Sequence, residues 1–149
     1  TGKMLTSLKL GHKYNDITIS ITGLTISNTP ALKYLMLSRI STLGGSIDLT
    51  GCKRLEECYL DGTKITQPKF ANGGGLKIVE FGSETKYVIF KNMSMLTNSG
   101  VNINSCKKSI TDFFVTDCVS MNPVNMLYEI YTAQKGNFNL KRIRRWRMF

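Results

Sequence analysis

The sequence holds a single histidine, His12, the side chain type that titrates closest to neutral pH. It precedes Lys13, and no serine or cysteine motif stands beside it. Spacing therefore offers no nucleophile–base pair, and His12 reads as a solvated turn residue. The ten carboxylates are scattered, and Asp48, Glu57 and Glu80 alternate with apolar residues, which makes them surface groups first. Four cysteines could serve as thiolates, metal ligands or disulfides. Yet Cys52-x5-Cys58 and Cys106-x11-Cys118 match neither the spacing of zinc sites nor a disulfide framework. Buried free thiols are the expectation; disulfides would demand an oxidising compartment. Asn72-Gly73-Gly74-Gly75 resembles a phosphate-binding loop only in its glycines. The following Gly-Lys-Ser/Thr and a helical pattern are both missing, so it reads as a corner. The expectation is a chain without catalysis, cofactor or bound metal.

Charge offers a different chemistry. Twenty Lys and Arg against ten Asp and Glu give a formal charge of +10. Lys141, Arg142, Arg144, Arg145 and Arg147 crowd the last nine residues, with Trp146 among them. Such a run can contact phosphates while the indole stacks on a base, so nucleic acid or another polyanion is one class of partner. The plainer alternative is a solvated terminal strand, or one covered by the rest of a longer protein.

The elements that would hold any site emerge from repeats. Leu5, Leu8 and Leu10 form L-x-x-L-x-L, as do Leu32, Leu35 and Leu37. Leu55, Cys58 and Leu60 follow, then Leu76, Val79 and Phe81, then Ile110, Phe113 and Val115. Partial copies lie between: Leu24 and Ile26, Ile47 and Leu49, Pro68 and Phe70, Val88 and Phe90, Val101 and Ile103. Middle positions 24, 35, 47, 58, 68 and 79 are spaced by 10 to 12 residues. Each apolar-x-apolar unit is a short strand with two side chains inward and one outward. Two units make a coil of 21–23 residues, and stacked coils give a parallel ladder over a continuous core.

Corners and ends complete the pattern. Cys52, Cys106 and Cys118 fall three residues after Leu49, Ile103 and Val115, where an inward Asn or Cys bonds backbone at a coil corner. Thr63, after Leu60, is a near match, while Cys58 takes an apolar core slot. Asn28-Thr29-Pro30, Gly44-Gly45, Thr50-Gly51 and Asp61-Gly62 are turn chemistry. A helix is expected from Pro123, capped by Asn122, with Val124, Leu127, Ile130 and Tyr131 on one face and an end at Lys135-Gly136-Asn137. A basic strand through Leu140 and Ile143 would follow, giving a last coil in which a helix replaces the second strand on the convex side.

At 149 residues, 42% apolar and 20% charged, the chain has the composition of a folded domain. No apolar run approaches the ~20 residues that span a bilayer, so no membrane insertion is expected. The repeat begins four residues after Thr1, so residues 1–149 read as one solenoid cut from a longer protein.

With its periodic leucines and corner cysteines, the chain resembles leucine-rich-repeat proteins. It is most similar to an irregular short-repeat type common in gut bacterial and phage genomes. The likeness rests on Ile47-Asp48-Leu49-Thr50-Gly51-Cys52 through Leu55, on Gly62-Thr63-Lys64-Ile65, on Phe70 through Leu76, and on Leu140-Lys141-Arg142-Ile143-Arg144. Arg145 departs from it by occupying an apolar slot. The resemblance implies a β-rich solenoid of short parallel strands with one helix near the C-terminus. It further implies a virion structural or tail-associated role; an adhesin on the surface of a gut bacterium is the alternative.

The expected contact surface is the ladder of outward residues. One register gives Lys9, Met36, Tyr59, Glu80 and Asn102; the other gives Thr25, Asp48, Lys69, Ile89, Phe114 and Arg144. Mixed aromatic, apolar and charged character suits a protein or glycan partner. For any one of these residues, simple solvation of the sheet is the competing explanation. A coil at the end of a stack lacks a neighbour, so neighbouring domains or subunits are expected to cover Leu5, Leu8 and Leu10, which otherwise stay exposed.

Overall fold

The computed structural model describes residues 4–135. The basic run Lys141–Arg147, with Trp146, and the strand expected there lie outside the described residues. So does Arg144 of the second outward register.

Most of the alternating units form strands, and the chain winds into a parallel β-solenoid of about 4 turns. Strands β1 (Ser7–Lys9), β2 (Tyr34–Met36), β4 (Glu57–Tyr59), β6 (Ile78–Glu80) and β8 (Val101–Asn102) stack in that order into one five-stranded sheet. On the other side, β3 (Gly44–Leu49) pairs with β5 (Lys64–Phe70), and β7 (Tyr87–Lys91) pairs with β9 (Asp112–Thr116). All pairings are parallel. Leu8, Leu35, Cys58, Val79 and Val101 occupy successive rungs of the inward row. Leu35, Cys58 and Val79 in the middle of that row are wholly buried. Burial of such side chains, at roughly 25 cal/mol per Å² of apolar area, is what holds strands of three residues in place.

Coil length varies more than the repeat alone implies. Leu8 and Leu35 are 27 residues apart, whereas Leu35 to Cys58, Cys58 to Val79 and Val79 to Val101 take 23, 21 and 22. The long first coil contains the first correction. Leu24 and Ile26 are partly buried against the core but form no ladder strand, and exposed Thr25 lies outside any sheet. Among the described residues, this stretch has a neighbouring coil on one side only. Its links to that coil are the Gly44 N–H to Thr22 carbonyl bond and the Thr42 hydroxyl to Ile21 carbonyl bond.

The two expected registers separate as the alternation places them. Val101 supplies the fifth rung of the larger sheet, with Ile103 buried beyond it, while Phe113 and Val115 belong to β9 on the other side. A 3-10 turn, Asn98–Gly100, precedes β8 and separates Val101 from buried Leu96. That insertion breaks the L-x-x-L-x-L spacing in this coil.

Pro68 lies in β5 opposite Ile47 and supplies no N–H. The second side is split beyond it into two ladders. They are bridged by Lys86 N–H to Thr66 O at one end and Gly73 N–H to Lys91 O at the other. Phe70, Phe81 and Phe90 cluster behind the split, with centroids 5.7 to 6.3 Å apart.

Helix α1 (Pro123–Ala133) begins as expected, with the Asn122 side chain accepting from Val124 N–H and Pro123 at the first position. Its orientation differs from the expectation. Pro123, Met126 and Ile130 are buried, whereas Val124 and Tyr131 are each 42% exposed. Tertiary contacts fix this rotation. The Asn98 amide bonds both backbone groups of Asn122, and the Gln134 amide donates to Lys107 and Ile110 carbonyls. The helix thus sits beside β8, where a further rung of the five-stranded sheet would stand.

The ends follow from stacking. Leu5 is 38% exposed and Leu8 and Leu10 are half-buried, while Leu35 and Leu37 one coil further in are fully buried. Replacing Leu35 with Ala is expected to cost about 3 kcal/mol, and Leu8→Ala less than half of that; chemical denaturation compares the two. Gly74 adopts a φ of +103°, and an added Cβ would lie 2.6 Å from the Lys53 carbonyl oxygen. Gly74→Ala is therefore expected to destabilise by about 2 kcal/mol. Gly23→Ala, which meets nothing within 4 Å, should stay within about 0.5 kcal/mol of wild type in the same assay.

Candidate functional site

Register sets the outward surface. Lys9 stands opposite Met36, Met36 opposite Tyr59, Tyr59 opposite Glu80, and Glu80 opposite Asn102. The five residues of the first register therefore share one row across the larger sheet. Two residues earlier on each strand, Ser7, Tyr34, Glu57 and Ile78 form a parallel row. Tyr34 was not singled out from the sequence, and Glu57 was read only as a surface carboxylate outside the contact rows. The same alternation would have found them, two positions upstream of Met36 and Tyr59.

The rows interlock. The Tyr34 hydroxyl points at Met36 Sδ on its own strand, at 3.7 Å, and the Tyr59 hydroxyl donates to Glu57 Oε1 at 2.8 Å. The two rings meet on the diagonal, with centroids 5.6 Å apart and planes inclined by 48°. Met36 is consequently a floor and not a contact residue: it points outward but is only 5% exposed. Tyr59 and Glu80 are half-buried, and Lys9 and Asn102 are exposed.

This face is also acidic. Beside the tyrosines stand Glu57 and Glu80, and Asp61 accepts from the Ser38 hydroxyl at 2.6 Å. Burial pushes the Glu80 carboxyl up, and the nearby Asp61 charge pushes it further. Burial, the hydrogen bond to Glu57 and the charges of Glu57 and Glu80 raise the Tyr59 phenol. Burial and Glu57 raise the Tyr34 phenol. Lys13, from the turn of the first coil, opposes the rise at both Tyr34 and Glu80.

The second side brings Asp48 opposite Lys69 and Ile89 opposite Phe114. Lys91 lies over the Phe114 ring, 5.5 Å from its centroid. The Asp48 carboxylate accepts from the Thr50 hydroxyl and N–H, which hold it below the usual carboxylate range. A shallow concavity of about 310 Å³ opens along the split between β5 and β7, with Pro68, Phe70 and Ile89 among its lining and Lys69 and Lys91 on its rim.

No protein-family model, curated protein or solved structure matches this chain. What the surface can do must be read from its own side chains.

The groups with catalytic potential are dispersed. His12 Nδ1 accepts from the N–H groups of Tyr14 and Asn15, both at 3.1 Å, so the ring closes a turn. Cys52, Cys58, Cys106 and Cys118 are free and buried. Cys106 and Cys118 donate to the carbonyls of Ile103 and Thr116, at 3.5 and 3.4 Å. Cys52 instead meets the Thr29 hydroxyl, 3.3 Å away, and the Thr63 hydroxyl donates to Leu60 O at 2.6 Å. Burial raises the Cys58 and Cys118 thiols and pushes that of Cys106 up to about 12. A cleft of about 460 Å³ lies between β8 and α1, and its lining of Asn98, Ser99, Val101, Asn102, Ile103, Asn104, Asn125, Met126 and Glu129 holds no histidine or cysteine. No helix among the described residues is long and apolar enough to cross a membrane.

A folded-state thiol pKa above the unfolded value favours the folded chain while unfolded thiols stay protonated. As pH rises past the unfolded value near 9, the unfolded chain gains charge that the buried sulfurs resist. Stability should therefore fall between about pH 9 and 12, and replacing Cys106 with Ser should reduce that alkaline loss, as urea melts across the range will show. At neutral pH the native thiols should react with a disulfide reagent far more slowly than those of the unfolded chain; full native reactivity would contradict the burial.

Proposed function

We propose that this chain is a non-enzymatic binding module of the leucine-rich-repeat type that contacts a macromolecular partner through its five-stranded face. The observation carrying this reading is the pair of tyrosines crossed over Met36 on a sheet whose backbone is hydrogen-bonded across every rung. Aromatic side chains held at low conformational freedom are the anchors that dominate interface energetics. The turn-closing role of His12 and the burial of the four thiols support a scaffold over a catalyst. The likeness to short-repeat proteins of gut phages and bacteria supports a place in a virion or tail, with a bacterial surface adhesin as the second setting. The partner is then a protein or glycan, and other domains or subunits meet the half-exposed first coil.

A polyanion-binding reading draws on the net charge of +10 and on the run from Lys141 to Arg147. A steep fall of affinity for heparin or duplex DNA with salt, lost when that run is neutralised, would favour it.

The test of the main reading is a screen of protein and glycan ligands with two double variants. Tyr34→Ala with Tyr59→Ala strips the anchors from the five-stranded face; Lys69→Ala with Phe114→Ala strips the second side. Binding is expected to weaken by about thirtyfold or more in the first and to change little in the second. Ligands that bind the first variant as well as wild type would sink the assignment of the face.

A further inference from the structure

Charge on the five-stranded face runs against that of the chain. Lys and Arg outnumber Asp and Glu two to one, 20 against 10, yet Glu57, Asp61 and Glu80 gather around the tyrosine pair. Among the described residues none of these three forms a salt bridge, while Glu56, one position outside them, is bridged by Lys33 and Lys77. Cations are thus close at hand, yet among the described residues none of them bridges the three central carboxylates.

The geometry points to an acidic–aromatic docking surface for a cationic protein segment, one that presents Arg or Lys side chains to Tyr34, Tyr59, Glu57, Asp61 and Glu80. This proposal rests on the reading that the five-stranded face is the binding face, and it names the chemistry of the partner. A guanidinium can lie flat on a tyrosine ring while its N–H groups bond a carboxylate, and both half-buried rings share this face with Glu57, which stands opposite Tyr34 and accepts from Tyr59. The Tyr59 hydroxyl, donating to Glu57, holds that carboxylate against the ring. Asp61 and Glu80 repel each other, and a cation between them converts that cost into attraction. Lys13 already shows the polarity of the site, because its charge offsets the rise at Glu80 and Tyr34 from the rim. Met36, buried beneath the rings, fixes where they stand and is not itself offered to the partner. A neutral glycan would leave the carboxylates uncompensated, and a polyanion would meet them directly.

The net charge makes the test selective, since a chain at +10 repels cationic ligands everywhere except at a local negative patch. Arrays of short arginine–glycine peptides, their citrulline–glycine and glutamate–glycine counterparts, and neutral glycans are probed with the full chain. Three variants are run beside it: Glu57→Gln with Glu80→Gln, Tyr34→Ala with Tyr59→Ala, and Lys13→Ala. Unchanged thermal melts confirm that each folds. Expected are binding to the arginine peptides alone, a loss of about tenfold or more in the two double variants, and a gain of a fewfold in Lys13→Ala. Equal binding of the arginine peptides to wild type and the glutamine variant overturns the cationic partner. Binding of an acidic or neutral probe that is lost with the tyrosines also overturns it, while leaving the face as the binding surface. If no probe depends on the tyrosines or the carboxylates, the cationic partner and the binding face both fall.

Discussion

Everything in this molecule depends on one coil finding the next in register. A strand of three residues cannot persist alone, and each gains its stability from a parallel partner about 4.8 Å away and from the inward side chain stacked on the equivalent one. The wholly buried run Leu35, Cys58, Val79 is that constraint in its plainest form. Polar corners obey it as well. The Thr85 hydroxyl reaches back to Ile65 O, Ser109 to Ser83 O, and Ser120 to Ser94 O, each bonding the coil before its own. Asn92 and Asn72 meet amide to amide in the same way. Polar groups at the corners are thus paired by the same translation that builds the sheet.

The translation also explains how a surface becomes a site. Side chains at equivalent positions must lie side by side, so their chemistry adds along the row. Tyr34 and Tyr59 meet because one strand offers tyrosine at the first outward position and the next at the second. The carboxylates of Glu57, Asp61 and Glu80 come together for the same reason, although they span 24 positions of sequence. Crowding them carries an electrostatic cost, visible in the raised Glu80 carboxyl.

Departures from regular stacking fall where the chain loses a partner group. At Pro68 the missing N–H accompanies the division of the second side into two ladders, and the phenylalanine cluster packs behind the division. In the first described coil, Leu24 and Ile26 pack against the core without forming a strand. After β8 the chain turns to a helix, whose cap at Asn122 and anchor at Gln134 both bond the preceding coil. Val119, Tyr128 and Tyr131 remain exposed in this region as a result.

The alternation of apolar and polar residues by itself determined a parallel solenoid, the row Lys9, Met36, Tyr59, Glu80, Asn102, the corner slots of Cys52, Cys106 and Cys118, and the start of the helix. These are local facts, because a period of two and a cap motif act within a few residues. Tertiary structure alone decided that Met36 would be roofed by its own strand's tyrosine, that Leu24 and Ile26 would form no strand, and that α1 would bury Met126 while leaving Val124 and Tyr131 outside. Each of those outcomes depends on a neighbouring coil. Insertions such as Asn98–Gly100 shift one coil against the next without disturbing the alternation inside either. Whether an outward side chain is exposed is likewise set by what stands on the adjoining rungs, which only the stacked structure brings together.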